Sequence, residues 1–340
     1  MIDLLADLFD STPTVVRVEN VGGTKSYDYR ISVGTHRFIA EYKSNASAGA
    51  VATAIDGLKR AIQSISERRL PLIVVPYMGP VGSQLCKQSQ ISWFDLCGNA
   101  TIVAPGLRIR IEGRANQFKD RGRPPNVFAS KSSRVTHQLL LLPQQFQTQA
   151  ELARQTQLGD GYVSKIVRRL EQENYLEVNT RGAVRPRNPN LLLDAWHEVY
   201  DFNRHRILKG HVSARSGEEL LQKIDKQMLR EYPEWALTGL CAAWVYTHFA
   251  AFRLVTVYLP SRPSNSLLDK LGFEEEPKGA NLWFVVPDDD GVFLGMRREE
   301  GGTCVSAIQT YLDLKAQPER AKDAAIELRQ KLLPWGEHGN

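Results

Sequence analysis

Apolar positions recur along this chain with two different periods. Between Gln147 and Val178 the spacing is helical: Val163, Ile166, Val167 and Leu170 fall at i, i+3, i+4 and i+7. Ala150, Leu152 and Ala153 give a shorter preceding segment one apolar side, and Leu158-Gly159-Asp160 separates the two. The spacing predicts two short helices joined by a tight turn, followed by paired short strands within LEVNTRGAVRPR. Upstream the period is that of strands. SYDYRISV and HRFIAEYKS alternate about Gly34-Thr35, ASAGAVATAIDGLKRAIQSISERR reads as a helix, and LPLIVVPYM as a buried strand. GSQLCKQSQ reads as a short helix, then ISWFDLCGNATIVA and LRIRIEG as one strand each. Residues 1–113 therefore predict an α/β sheet with crossover connections.

Residues 114–130, RANQFKDRGRPPNVFAS, read as a polar linker rich in Pro and Gly. Beyond the helix pair, NPNLLLDAWHEVYDFNRHRI predicts a helix with Leu191, Leu192, Ala195, Trp196, Val199 and Phe202 on its apolar side. A third region from Ser213 reads as α/β. Its helices are EELLQKIDKQML, WALTGLCAAWVYTHF and a closing stretch from Val305 to Leu333, and its strands are RLVTVYLP and LWFVVP. Trp235–Phe252 is uncharged over 18 residues but contains Thr238, Gly239, Thr247 and His248 and lacks flanking basic loops. It reads as a buried helix feeding a strand rather than a membrane span.

Composition is that of a globular protein, 42% hydrophobic and 24% charged over 340 residues, which is room for two or three domains. The net charge of +5 is unevenly placed. Residues 114–187 carry 13 Lys/Arg against 6 Asp/Glu, so the rest of the chain is slightly acidic. A basic surplus confined to the helix pair and its approach is a local footprint for nucleic acid. Cys86, Cys97, Cys241 and Cys304 lie far apart with no CxxC, so neither structural zinc nor a disulfide framework is expected. MIDLLADLFDS is acidic and has no basic leader of a signal peptide, and the expectation is a cytoplasmic protein.

Those charges bear on the chemistry. The apolar face of the second helix leaves Tyr162, Ser164, Lys165, Arg168 and Arg169 outside, the residue types that meet phosphates and base edges in a major groove. The pattern is that of a winged helix-turn-helix over residues 131–187, with Arg181, Arg185 and Arg187 on the wing within reach of the phosphate backbone. Modules of this kind also bind proteins, and the surplus of charge favours double-stranded DNA. Arg121 and Arg123, in RGRP, resemble the core of an AT-hook that slides into a narrow minor groove; a plain basic linker is the alternative.

One arrangement looks catalytic. Asp28 in one strand and Glu41 and Lys43 in the next form D-x12-E-x-K, and period-two geometry puts Glu41 and Lys43 on one face. A hairpin turning at Gly34-Thr35 brings Asp28 beside them. Two carboxylates hold Mg²⁺ or Mn²⁺ through oxygen, and a lysine orients water or stabilises a phosphorane-like transition state. The set, with the helix and strand after it, resembles the PD-(D/E)xK nuclease fold across residues 10–113, although Tyr27 stands where that pattern has proline. Such a carboxylate–lysine pair is otherwise a solvated ion pair, and the fold also serves as a binding scaffold. In WFDLCGNATI, Asp95, Gly98 and Asn99 read as strand caps and turns.

Thr238-Gly239 opening a helix that leads to a strand resembles the start of a nucleotidyltransferase fold. The following strand, Leu254–Tyr258, carries no carboxylate for metal, so the resemblance implies a scaffold without the activity. The order of parts, with NPNLLLDAWHEVY, WALTGLCAAW and VSAIQTYLDLKAQPERAKDAAIELRQKLL, resembles the AbiEi-type transcriptional regulators, the antitoxins of type IV toxin–antitoxin systems. That resemblance implies a repressor of its own promoter, with no cofactor, that counteracts a nucleotidyltransferase-like toxin without a stable complex. The nuclease-like domain goes beyond the minimal pattern of that family.

The expected fold is a multidomain α/β protein. It has a restriction-endonuclease-like domain at 1–113, a linker at 114–130, a winged helix-turn-helix at 131–187 and a degenerate nucleotidyltransferase-like α/β domain at 188–340. The expected function is sequence-specific repression. A metal-dependent DNA nuclease targeted by the winged helix is the alternative, and a protein adaptor the third reading. No membrane partner is expected, and a homodimer reading two half-sites is left open.

Overall fold

Alternation of apolar residues on the central strands sends two different sets of side chains to the two faces of the first sheet. The computed structural model describes residues 2–17, 27–118, 126–232, 234–249, 251–276, 278–318 and 320–335. The chain divides into two units, Met1–Pro124 with Arg169–Tyr175, and Pro125–Arg168 with Leu176–Asn340. In the first, α1 (Ile2–Phe9), β1 (Thr14–Arg17), β2 (Tyr29–Val33), β3 (His36–Tyr42), α2 (Ala48–Ser64) and β4 (Leu70–Val75) are followed by α3 (Pro80–Gln88), β5 (Ser92–Asp95), β6 (Ala100–Ala104) and β7 (Leu107–Ile111). Among the described residues the seven strands lie side by side in chain order. The β1–β2–β3 meander is antiparallel, β3–β4–β5 are parallel across helical crossovers, and β5–β6–β7 are antiparallel again.

Ile39, Ile73, Val75 and Trp93 face Val51, Ala54, Ile55 and Leu58 of α2 and Cys86 of α3. Phe38, Ala40, Leu72, Val74 and Phe94 form the opposite layer with Leu5 of α1. Both faces are covered, which is why β4 reads as an unbroken apolar run. The hairpin turns at Gly34 with φ +54°, joining Val33 to His36.

The second unit holds α4 (Ser133–Leu141), α5 (Gln149–Thr156), α6 (Asp160–Gln172, whose last residues group with the first unit), β8 (Leu176–Val178), β9 (Val184–Pro186) and α7 (Pro189–Val199). It continues with β10 (Arg206–His211), α8 (Gly217–Glu231), β11 (Ala236–Thr238), α9 (Gly239–Thr247), β12 (Val255–Tyr258), α10 (Asn265–Leu271), β13 (Glu274–Glu275) and β14 (Leu282–Val286). The last elements are β15 (Arg297–Glu299), β16 (Gly302–Cys304), α11 (Ala307–Asp313) and α12 (Ala321–Leu332). β8 and β9 pair with each other, with an added antiparallel bridge from Gln147 to Val184, and the others form a mixed sheet in the order β13-β10-β14-β12-β11-β16-β15. Its core joins Leu220, Ile224 and Met228 of α8, the apolar α9 and Leu328 of α12 to the central strands. The protein is thus α/β with two mixed sheets.

Several elements differ from expectation. ISWFDLCGNATIVA, expected as one strand, is β5 and β6 around a turn, because Gly98 takes φ +91° and the chain reverses there. A Cβ at Gly98 would stand 2.2 Å from Nη1 of Arg114. WALTGLCAAWVYTHF, expected as one helix, begins as β11. Its backbone pairs with β12 and β16, and the helix starts at Gly239, which turns the chain at φ +64°. In NPNLLLDAWHEVYDFNRHRI the α-helix ends before Tyr200, whose backbone is extended; a 3-10 turn follows at Phe202–Arg204, and Arg206–His211 joins the sheet as β10. Asp28 lies just before β2 rather than inside it, although its N–H still reaches the Ala40 carbonyl at 2.9 Å. Val127 and Phe128, expected in a polar linker, are buried. Among the described residues no helix is long and apolar enough to cross a membrane.

Candidate nucleic-acid interface

The helix pair is set by caps at both ends of α5 and at the start of α6. Thr148 Oγ1 accepts the Glu151 N–H at 3.2 Å and Glu151 Oε2 accepts the Thr148 N–H at 2.7 Å, a reciprocal cap for α5. Hydrogen bonding from Thr148 holds the Glu151 carboxyl below its usual range. Gln157 ends α5 in the left-handed region, and Asp160 opens α6 with a negative charge at the positive end of the helix dipole. Val163, Ile166, Val167 and Leu170 are fully buried, each side chain contributing about 1.5–3 kcal/mol of transfer energy.

The opposite face divides in two. Lys165 and Arg168 are exposed and have no carboxylate partner among the described residues. Tyr162 is exposed along its ring, but its hydroxyl shares a 2.8 Å hydrogen bond with Ser132 Oγ, and the Lys131 ammonium lies 5.8 Å from the ring centroid. Ser164 is half-buried. Arg169 is committed elsewhere: its Nε meets Glu173 Oε1 at 2.5 Å, one turn along the helix. Burial pushes the Glu173 carboxyl up, and the Arg169 charge partly offsets this.

On the hairpin, Asn179 Oδ1 accepts the N–H groups of Arg181 and Ala183, and Gly182 supplies φ +77°, leaving Arg181 exposed at the tip. Arg185, expected to point at phosphate, is held down. It pairs with Glu177, donates to the Gln144 carbonyl at 3.3 Å and lies 4.4 Å from the Phe146 ring centroid. Arg187 is exposed, with a long 3.5 Å contact to the Leu176 carbonyl. Arg121 and Arg123 lie outside the described residues. Among the described residues, the predicted contact cations left free are Lys165, Arg168 and Arg181, with Arg187 nearly so. Arg154, exposed on α5, and Lys131 belong with the cations of the helix pair and were not anticipated. Their basic character was visible, but the face each occupies was not.

In the first unit, Asp28 and Glu41 lie at the end of the β2–β3 pairing. The register ends at the Tyr29–Ala40 pair, and the Asp28 N–H goes to the Ala40 carbonyl, which breaks the register before Glu41. Asp28 Oδ2 accepts the Tyr42 N–H at 2.9 Å, and Lys43 Nζ meets Glu41 Oε1 at 2.8 Å. Both side chains of that ion pair are mostly covered. Among the described residues no group of three or more His, Cys, Asp or Glu is arranged to hold a metal. Asp95 braces the β5–β6 turn, where its carboxylate accepts the N–H of Met78 and both the N–H and Nδ2 of Asn99, at 2.9–3.1 Å. Asn99 also clamps the Arg114 peptide from both sides, at 2.8 and 3.0 Å.

A buried polar cluster was not anticipated. On α11, Ser306, Gln309, Thr310 and Asp313 recur at i, i+3, i+4 and i+7, a stripe that in sequence looks like a solvent face. All four are buried. Asp313 accepts Thr238 Oγ1 on one oxygen at 2.5 Å, and Tyr200 Oη at 2.5 Å and Gln309 Nε2 at 2.9 Å on the other. His205 Nδ1 accepts the Asp288 N–H at 3.0 Å, so the ring proton sits on Nε2 and is donated to Tyr200 Oη at 3.2 Å. Burial pushes Asp313 up to about 6 and His205 down to about 4. His137 on α4, also brought to about 4 by burial, bridges the Gly291 carbonyl and Ser306 Oγ. Arg134 on the same helix forms a two-point ion pair with Asp289, at 2.6 and 3.0 Å. In β12, Val255 to Tyr258 are all buried.

Compared with protein-family models, with curated proteins and with solved structures, the chain matches none.

Proposed function

We propose that this protein is a sequence-specific DNA-binding transcriptional regulator, a repressor in which α4–α6 with the β8–β9 hairpin act as a winged helix-turn-helix. The observation that carries the reading is the exposed face of α6. Lys165 and Arg168 stand beside Tyr162 without carboxylate partners among the described residues, within the segment that holds the basic surplus of the chain. An isolated cation pair on a helix is commonplace; a recognition-type helix capped by an acid, with an arginine-tipped hairpin following it, is a more specific combination. α6 lies in the major groove in this reading, and Arg181 and Arg187 contact flanking phosphates. Arg121 and Arg123 would add minor-groove or backbone attraction. Loss of a gel shift on DNA upstream of the gene in Lys165→Ala/Arg168→Ala tests the proposal, and unchanged binding rejects it.

The antitoxin role rests on the resemblance to the AbiEi-type regulators, with the second mixed sheet as a nucleotidyltransferase-like scaffold. The carboxylate-free β12 is consistent with a scaffold that has no metal chemistry. Co-expression with a nucleotidyltransferase-like toxin encoded beside it tests this role: rescue of growth is expected.

A second reading is a metal-dependent nuclease, favoured by an Asp28 carboxylate that meets the Tyr42 peptide next to Glu41, with Lys43 paired to Glu41. The meander β1–β3, helix α2 and parallel β4 also form the order that the PD-(D/E)xK resemblance implies. Against it, Lys43 neutralises Glu41 and a backbone N–H occupies Asp28. Mg²⁺ or Mn²⁺ would bind there only after Glu41 exchanges that partner.

A further inference from the structure

In the first unit, arginines gather beside the β2–β3 hairpin toward its Gly34-Thr35 turn. Arg37 pairs directly with Ser32 across the hairpin, and Arg30 stands two residues from Ser32 on the same face, so the two arginines are diagonal neighbours. Arg68 and Arg69 reach this corner from the segment between α2 and β4. At the turn a hollow of about 340 Å³ is lined by Thr35, His36, Arg37 and Arg68 with Leu70 and Pro105, and by no carboxylate among the described residues. Asp28, Glu41 and Lys43 belong to the other, open end of the hairpin.

Glu67 lies within the cluster, and it is spent on Arg69, whose Nη2 donates to it at 2.5 Å. That bond first, and then the charges of Arg37 and Arg30, hold the Glu67 carboxyl below its usual range, so these guanidiniums share one neighbourhood. Arg37 and Arg68 are exposed, and neither is within ion-pair distance of a carboxylate among the described residues. Arg30 is exposed as well and commits its Nε to the Tyr27 hydroxyl at 3.1 Å. Like charges gathered at one corner repel, which favours an occupant that brings several negative charges. Guanidinium forks match phosphate oxygens two at a time. A protein partner needs an apolar or aromatic anchor at the centre of its interface, and no Phe, Tyr or Trp lines the hollow. A nucleic-acid backbone supplies repeated charge without such an anchor.

We infer that this corner is a phosphate-backbone contact surface of the first unit, with Arg37 and Arg68 each taking one phosphate of duplex DNA and Arg30 adding attraction. Contacts of this kind read no bases, so they raise affinity for any sequence. The inference extends DNA binding to the first unit and rests on the proposed function only for the choice of duplex DNA as the polyanion.

The test measures affinity of the full chain for duplex DNA of random sequence, by fluorescence anisotropy across a salt series. Arg37→Ala/Arg68→Ala should lower the slope of log affinity against log salt by about 2, one for each phosphate contact. Arg37→Lys/Arg68→Lys keeps both charges and should keep the slope. Both side chains are exposed, so neither variant should shift the thermal midpoint. An unchanged slope in the alanine variant overturns the inference, and is the result expected if an acidic protein is the natural occupant. Equal loss in the alanine and lysine variants overturns it too, since charge would not be the cause. Adding the alanine pair to Lys165→Ala/Arg168→Ala separates this surface from α6: the further loss of slope is expected whether or not α6 contributes. No binding of duplex DNA by the unsubstituted chain rejects both.

Discussion

The hydroxyl of Tyr200 donates to the carboxylate of Asp313 at 2.5 Å across 113 positions of sequence, with both side chains buried. Tyr200 ends α7 and Asp313 ends α11, so this bond closes the second unit around a polar centre. Tyr200→Phe should cost about 1–3 kcal/mol, since the enclosed carboxylate loses a donor and water cannot replace it. Urea unfolding at pH 7 measures it; a change under a few tenths of a kcal/mol would mean that Tyr200 is not supporting Asp313.

The same centre sets a pH dependence with opposing parts. Asp313 is raised to about 6, so between about pH 4 and 6 the folded chain keeps a proton that the unfolded chain has released. That contribution is present at the acid end and lost as pH rises through 6. His137 and His205 are depressed to about 4, and their contribution is present above about pH 6.5 and lost as pH falls toward 4. Two histidines outweigh one aspartate, so stability should rise with pH across this window. Asp313→Asn should steepen the rise by about 1.4 kcal/mol per pH unit, and His205→Asn should flatten it by a similar amount. Unfolding midpoints at half-unit steps from pH 4.5 to 6.5 measure both slopes.

DNA binding should separate the arginines that sequence alone treats alike. Lys165→Ala and Arg168→Ala should each weaken binding and reduce the slope of log affinity against log salt by about 1. Arg169→Ala and Arg185→Ala should leave that slope nearly unchanged, because their guanidiniums are spent on Glu173 and Glu177. Fluorescence anisotropy between 50 and 200 mM salt, as an order-of-magnitude range, distinguishes them. A full slope loss in Arg185→Ala would show that the wing rearranges on DNA.

The Asp28, Glu41 and Lys43 set gives a cleaner contrast. Under the regulator reading, Glu41→Ala and Lys43→Ala leave operator affinity unchanged, and adding Mn²⁺ yields no cut in duplex, branched or single-stranded DNA. Cleavage by the unsubstituted chain that disappears in Lys43→Ala would make the nuclease the primary activity.

Gly239→Ala should destabilise the second unit by about 1–3 kcal/mol, from the left-handed backbone alone. Its φ is +64°, and an added Cβ would stand 2.7 Å from the Gln317 side chain. Thermal melting followed by circular dichroism reports the loss. A midpoint equal to that of the unsubstituted chain would mean that the backbone relaxes at no cost.

Elements with one dominant constraint were legible in sequence. The apolar repeat of α6 admits one helical face, and β4 is apolar at consecutive positions because both of its faces are covered. Where two local signals compete, packing decided. Ala236–Thr238 is compatible with helix by composition, but strands on either side supply its hydrogen bonds, and Gly239 turns the chain only afterwards. Residues 92–104 look like one strand because Asp95 and Asn99 are short polar residues at an ambiguous point. Their network with Arg114, 15 positions away, holds the turn.

By itself the sequence determined the α/β character, the two periods and the placement of positive charge, because these depend on residue type and spacing within one element. Tertiary structure decided which charges remain available. Arg168 and Arg169 are neighbours of identical chemistry, yet one is exposed and the other is paired with Glu173. It also decided that the polar stripe of α11 turns inward. Period and polarity mark a face without saying what covers it, and the cover here, Tyr200 and Thr238, comes from 113 and 75 positions away.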